Sequence, residues 1–204
     1  MSRCIIDMTD RSDNIRQVLD RLYERDERER IEGLPHELRM LALHRDSGRF
    51  LHLICRASGA RNILEIGTSQ GVSTIWLAWA VSEINGKVTT VELDPDRAAQ
   101  AGQNFRQAGL DRWIIVTVGD ARQVVKTLKD PIDLVFLDSV KADCPFFLET
   151  LFPLLPVGGV VVADNAISHA DELQDYFAAL KKLHFVTMTV PIGAGVEFSI
   201  KSGE

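Results

Sequence analysis

Asn62-Ile63-Leu64-Glu65-Ile66-Gly67-Thr68-Ser69-Gln70-Gly71 passes from an apolar run into a glycine turn, and STIWLAWAVSEI (73–84) follows it directly. A short apolar run bounded by glycine reads as a buried strand, and the longer apolar stretch behind it reads as a helix. The alternation continues through VTTVELD (88–94), PDRAAQAGQNFRQAG (95–109), IIVTVGD (114–120), ARQVVKTL (121–128), IDLVFLD (132–138) and GGVVVAD (158–164). Such repetition is the pattern of βαβ units around a parallel sheet covered on both faces. After it come a helical segment, ELQDYFAALKKL (172–183), and two strand-like runs, HFVTMTV and VEFSI, separated by the turn-rich PIGAG (191–195). That ending predicts an antiparallel hairpin at the sheet edge. The fold expected is α/β, with a mostly parallel seven-stranded sheet closed by this hairpin.

Two amphipathic helices are predicted ahead of the sheet. Residues 12–31 carry Ile15, Val18, Leu19, Leu22 and Tyr23 at helical spacing, and their polar side, ERDERER (24–30), reads as a solvated face. SGRFLHLICRASG (47–59) buries Phe50, Leu51, Ile54 and Cys55 and stops at Gly59. The organisation expected is one domain, with residues 1–58 as a helical extension and 59–204 as the α/β core.

Composition fits one compact domain: 204 residues, 46% hydrophobic and 25% charged. A formal net charge of -6 supplies no basic surface for a phosphate backbone, so nucleic acid is not expected as a partner. Cys4, Cys55 and Cys144 are too scattered for a zinc site or a disulfide framework and read as reduced thiols. With no apolar run of about 18 residues and no apolar leader at the N-terminus, a soluble, cytoplasmic chain without a membrane partner is expected.

Ligands of such sheets sit at the carboxyl ends of the strands. The first ending, Glu65 to Gly71, has GxxxG where a dinucleotide fingerprint needs GxGxxG, which disfavours pyrophosphate. Its glycines still allow close backbone approach to a ligand. The second places Glu92 where a carboxylate accepts from a ribose diol, leaving Asp94 before Pro95 as the helix cap. The third puts Asp120 and Ala121 where an adenine edge is read, with Asp120 also suited to capping. The fourth and fifth end in Asp138, with Lys141 three residues on, and in Asp164-Asn165. Three oxygen donors without Cys or His suit a hard cation that keeps water or substrate oxygens.

Residues 67–71 also satisfy GxSxG, the nucleophile elbow of an esterase, with Ser69 as nucleophile and Asp138 with His169 or His184 as nominal partners. Against this rival, Ser69 follows the first strand, and Glu92 and Asp164-Asn165 are left without roles.

From about Leu41 to Lys201 the chain resembles the cation-dependent O-methyltransferases, the family of catechol O-methyltransferase and the caffeoyl-CoA O-methyltransferases. The carriers are SGRFLHL, ILEIGTSQGVST, VELD, VGDA, Asp138 with Lys141, GGVVVADN and the late GVE. The resemblance implies a Rossmann-like methyltransferase fold and S-adenosylmethionine contacts at Leu43, Glu65, Gly67, Thr68, Ser69, Gly71, Ser73, Glu92, Leu93, Asp120, Ala121 and Asp138. It implies a divalent cation on Asp138, Asp164 and Asn165, Mg²⁺ first with Mn²⁺ or Ca²⁺ as alternatives. It makes Lys141 and Asp138 catalytic, puts Lys141, Asn165 and Glu197 at the substrate, and gives a homodimer with the N-terminal helices as its contact. Val140 stands where bacterial and plant members carry a second aspartate, and Cys144 stands where an aromatic residue is common. The expected reaction is metal-dependent methyl transfer to a hydroxyl of a small vicinal diol, with Lys141 taking the proton. The alternatives are an esterase and a non-catalytic S-adenosylmethionine-binding protein.

Overall fold

A computed structural model describes residues 8–35 and 38–203, with side chains from Ser12 onward; Cys4 lies outside them. Helices α1 (Met8–Ile31) and α2 (Arg45–Ser58) precede β1 (Asn62–Ile66), α3 (Val72–Ser82), β2 (Lys87–Glu92), α4 (Pro95–Gln107) and β3 (Ile114–Val118). Then come α5 (Ala121–Val124), β4 (Leu134–Leu137), α6 (Cys144–Leu151), β5 (Val160–Asp164), α7 (Gln174–Lys182), β6 (Phe185–Val190) and β7 (Val196–Lys201).

The seven strands form one sheet in the order β3-β2-β1-β4-β5-β7-β6. Strands β1 to β5 are parallel, and β7 runs antiparallel to both β5 and β6. The chain enters at mid-sheet on β1, steps outward to β3, then returns to β4 on the other side of β1. The topological switch therefore falls between β1 and β4, where a crevice opens beyond the strand ends.

Alternate residues of each strand serve opposite layers. Ile63, Phe136 and Val162 pack with Ile15 of α1, Leu51 of α2, Ile75 of α3 and Phe105 of α4. On the other face Leu64, Val135 and Val161 pack with Phe147 of α6 and Tyr176 and Leu180 of α7. Each such side chain contributes roughly 1.5–3 kcal/mol through burial. Helix α3 is buried nearly all round because α2 covers its outer side, which is why its sequence is apolar throughout. Its Trp76 and Trp79 stack at 5.6 Å, and the Trp76 indole N–H donates to the Tyr23 hydroxyl of α1.

The caps follow the sequence signals. Gly59 ends α2 at φ 68, and the Asp94 carboxylate accepts from the amides of Asp96 and Arg97 ahead of α4. One predicted helix is shorter than read. ARQVVKTL gives only the four residues of α5 and a single 3₁₀ turn, since the β-branched pair Val124-Val125 extends a helix poorly. Among the described residues no helix is long and apolar enough to cross a membrane.

Candidate active site

A cavity of about 370 Å³ opens at the carboxyl ends of β1, β2, β3 and β4. Of the residues expected at the cofactor, Leu43, Gly67, Thr68, Ser69, Ser73, Glu92, Leu93, Asp120, Ala121 and Asp138 line it. Glu65 and Gly71 do not. Gly71, at φ 85, starts α3 against Phe105, where a Cβ would come within 2.3 Å of the ring. Glu65 has no exposed surface, and its carboxylate accepts from the Thr74 hydroxyl while its Oε1 has no partner.

The carboxylates of this region are held in different ways. Glu92 accepts the Ser69 amide at 2.7 Å on one oxygen and the Asp94 amide at 3.0 Å on the other, which joins the first two strand ends. Burial pushes the Glu65 carboxyl up to about 7; the hydroxyls of Ser73, Thr74 and Thr90 oppose this, and the charge of Asp138 adds to it. A native-state pKa raised above the ordinary 4.5 means the folded chain binds the extra proton, so stability falls as pH rises from about 4.5 to about 7. We expect Glu65→Gln to flatten this fall and to stabilise the ligand-free protein at pH 8 by on the order of 2–3 kcal/mol, measured by urea unfolding. Equal pH profiles for the two proteins would show that Glu65 is not the titrating group.

A second set shares Asp138 with the cavity. Asp138 follows β4, and its Oδ1 stands 3.3 Å from the Nζ of Lys141, a residue only 7% exposed. Asp164 ends β5 at 5% exposure with Oδ1 buried and unpartnered. Burial and the charge of Asp138 push its carboxyl upward, against the pull of Lys141. Asn165 follows in the left-handed region at φ 66. Two carboxylates at neighbouring strand ends, one with a bare buried oxygen, and an adjacent amide are a donor set that fits a hard divalent cation. Among the described residues no three of His, Cys, Asp and Glu converge on such a site, so the amide oxygen of Asn165 would have to complete the set.

Glu197 stands on β7, beside the end of β5. It pairs with Ala163, and Asp164 pairs with Val196, so the strand alternation turns Glu197 to the opposite face of the sheet from Asp164. There it is 2% exposed and accepts from the hydroxyls of Thr187 and Thr189. The register of β5 and β7 thus sets Glu197 on the face opposite Asp164, on the side of Tyr176.

The rim adds further residues, of which the sequence pointed only to Met40, close to the expected cofactor lid. Met40, Leu41 and Ala42 continue the wall from Leu43, and Arg97, Arg122 and Asp143 line the mouth, the last two joined as an ion pair. The turn between β6 and β7 also reaches this end. Gly193 sits against His44 and Ser47, where a Cβ would come within 2.7 Å, and Ala194 and Gly195 accept the amides that follow Asn165. Ser69 gains no base from these surroundings. Its hydroxyl donates to the Met40 carbonyl, His169 bonds Ser168, and His184 precedes β6 at the edge of the sheet. The esterase arrangement is not formed.

Comparison with known proteins agrees with this geometry. A family model described as O-methyltransferase matches residues 15–190. The chain is 35% identical over 134 residues to a catechol O-methyltransferase of Niastella koreensis and 39% identical over 132 residues to one of Mycobacterium tuberculosis. Each match covers 64% of this chain and 60% of the relative, so the chain spans about three-fifths of their length. A crystal structure of a putative O-methyltransferase from Klebsiella pneumoniae superposes with TM-score 0.77 at 26% identity, over 91% of this chain and 90% of that one. The O-methyltransferase TomG from Streptomyces achromogenes, involved in tomaymycin synthesis and solved with SAM, gives 0.73 at 29% identity over 89% of each chain. Fold, strand-end residues and family match coincide: the chain belongs to the O-methyltransferase family.

Proposed function

We propose that this chain transfers the methyl group of S-adenosylmethionine to a hydroxyl of a small molecule, a catechol-like vicinal diol, with a divalent cation bound beside the acceptor. One observation carries the reading: Asp138 lines the large cavity and also stands 3.3 Å from the buried Lys141. A cofactor site and a candidate base thus share a residue. The names of the two catechol O-methyltransferase relatives and the SAM-bound neighbour support the same class.

The cavity fits the cofactor in volume and lining. Glu92, at the end of β2, is the acceptor for a ribose diol, and Ala121 with Asp120 lies where an adenine would be read. The methionine end faces the turn from Gly67 to Ser69 and the segment 40–43. The unpartnered Oε1 of Glu65 behind this wall supports a role for that carboxylate toward the methionine ammonium.

Asp138, Asp164 and Asn165 would hold the cation, Mg²⁺ first. When bound, such a cation orients the acceptor oxygens and lowers their proton affinity. Lys141, as the free amine, would receive the hydroxyl proton on Nζ and become the ammonium that pairs with Asp138. The acceptor oxygen bonds the methyl carbon as the carbon–sulfur bond breaks, and the sulfur leaves with the electron pair as neutral S-adenosylhomocysteine. Alignment of oxygen, carbon and sulfur is the principal requirement for this displacement. The acidic net charge fits a small-molecule acceptor, and we further read the chain as a cytoplasmic homodimer joined through its N-terminal helices.

Labelled S-adenosylmethionine with a panel of catechols and caffeoyl-type diols, in Mg²⁺ and in chelator, tests the reading. Transfer that needs Mg²⁺ is expected. Equal transfer in chelator would remove the cation, and transfer to monophenols as fast as to diols would remove the diol.

A further inference from the structure

We infer that Asp26 and Glu29 of α1 are positioning residues of the cofactor cavity, fixing the backbone of the segment that forms its outer wall. This rests on the proposed function, because the cavity is read as the S-adenosylmethionine site.

The charged run ERDERER reads as a solvated helix face, yet two of its carboxylates are buried. Asp26 is 7% exposed and Glu29 8%. Three residues apart, they share one side of α1. Glu29 Oε2 accepts the Met40 amide at 2.7 Å, and Asp26 Oδ1 accepts the Ala42 amide at 3.0 Å. The second oxygen of each is taken by an arginine one helical turn away, Arg25 for Glu29 and Arg30 for Asp26, both at 2.7 Å. Every oxygen of the pair has a partner, so both carboxylates are held in one rotamer and present fixed acceptors to the segment. The hydrogen bonds from Met40 and Arg25 hold the Glu29 carboxyl below its ordinary range despite its burial.

The segment so held is part of the cavity. Met40, Leu41, Ala42 and Leu43 all line it, with the side chains of Met40 and Leu43 buried. Leu41, between the two anchored amides, adopts φ 48, a conformation that disfavours a leucine and persists only when its neighbours are tied down. The Met40 carbonyl accepts the Ser69 hydroxyl at 2.9 Å, and the Ser69 amide donates to Glu92 at 2.7 Å. A continuous hydrogen-bonded path thus runs from the two α1 carboxylates through the wall segment and the glycine turn to the ribose acceptor. A wall ordered before the ligand arrives reduces the entropy lost on binding. The two carboxylates therefore act on cofactor affinity without touching the cofactor.

The test compares Asp26→Ala and Glu29→Ala with Asp26→Asn and Glu29→Gln, which keep an acceptor oxygen. Amide hydrogen exchange is read in the ligand-free chain, and S-adenosylhomocysteine affinity is read by calorimetry. Each alanine variant is expected to speed exchange at the Met40 and Ala42 amides by about tenfold and to weaken S-adenosylhomocysteine by about tenfold, with the amide variants recovering most of both. KM for the cofactor should rise by the same factor, while kcat at saturating cofactor and KM for the acceptor change less than about twofold. Unchanged affinity in an alanine variant with wild-type melting temperature would overturn the inference, as would unchanged exchange at the two amides. A wild-type chain that binds no S-adenosylhomocysteine would instead overturn the cofactor reading and the affinity half of the inference. The exchange data would then still decide the anchoring half.

Discussion

Replacing Lys141 with methionine is expected to lower methyl transfer at saturating cofactor by about 10²–10⁴-fold, the usual contribution of a positioned acid or base, and to leave S-adenosylhomocysteine affinity within about threefold. The side chain is not part of the cavity wall; its contact is the 3.3 Å approach of Nζ to Asp138. Methionine keeps most of the volume and the apolar stem, so the local packing survives. Asp138 retains some solvent contact, which limits the cost of leaving its charge unpaired. Lys141→Arg separates two roles. An arginine preserves the positive charge beside Asp138 but does not give up its proton near neutral pH, so it should be about as inactive as methionine if Lys141 accepts a proton. Single-turnover transfer from labelled cofactor, with calorimetry on the same samples, measures both quantities. An active arginine variant would make Lys141 an electrostatic group, and a methionine variant within threefold of wild type would remove it from the chemistry.

The sheet was legible because each strand is short, apolar and bounded by glycine or a carboxylate, and because a parallel sheet gathers its carboxyl ends on one side. For that reason Glu92, Asp120, Asp138 and Asp164 could be singled out from their positions in the chain alone. The residues read less well are those whose role depends on a partner distant in sequence. Asp26 and Glu29 look like their neighbours in ERDERER, and only the folded chain brings the amides of Ala42 and Met40, 16 and 11 residues away, against them. The surroundings of Glu197 are hidden for a different reason. The GVE motif placed it near the right end of the sheet, but its face depends on register, and pairing with Ala163 sends it to the layer of α6 and α7. The alternation of β7, with Val196 on the Asp164 side, carries this parity once β7 is aligned to β5. Glu65 was recognised from its place before the glycine turn, but its complete burial behind the cavity wall, with Thr74 of α3 as donor, is a property of helix packing.

Gly67→Ala should destabilise the protein by about 3 kcal/mol or more and lower transfer by about 10²-fold in whatever fraction stays folded. Gly67 has φ 102, and a Cβ there would lie 2.1 Å from the Asp138 carbonyl oxygen and 2.9 Å from its carbon. Both atoms are backbone, so no side-chain rotation relieves the contact. The same carbonyl belongs to the residue whose carboxylate borders the cavity and faces Lys141, and the Asp138 amide is bonded to the Ile66 carbonyl at 3.0 Å. Relief must therefore move the ends of β1 and β4 apart, and Asp138 with them. Gly59→Ala supplies the comparison. Its φ is 68 and nothing lies within 4 Å of a Cβ, so only the left-handed conformation is penalised, at about 1–2 kcal/mol. Urea unfolding of the two variants, with transfer assayed in each, separates the conformational cost from the collision. If Gly67→Ala were no worse than Gly59→Ala in stability and retained full transfer, the close approach of β1 to β4 would not be what sets the position of Asp138.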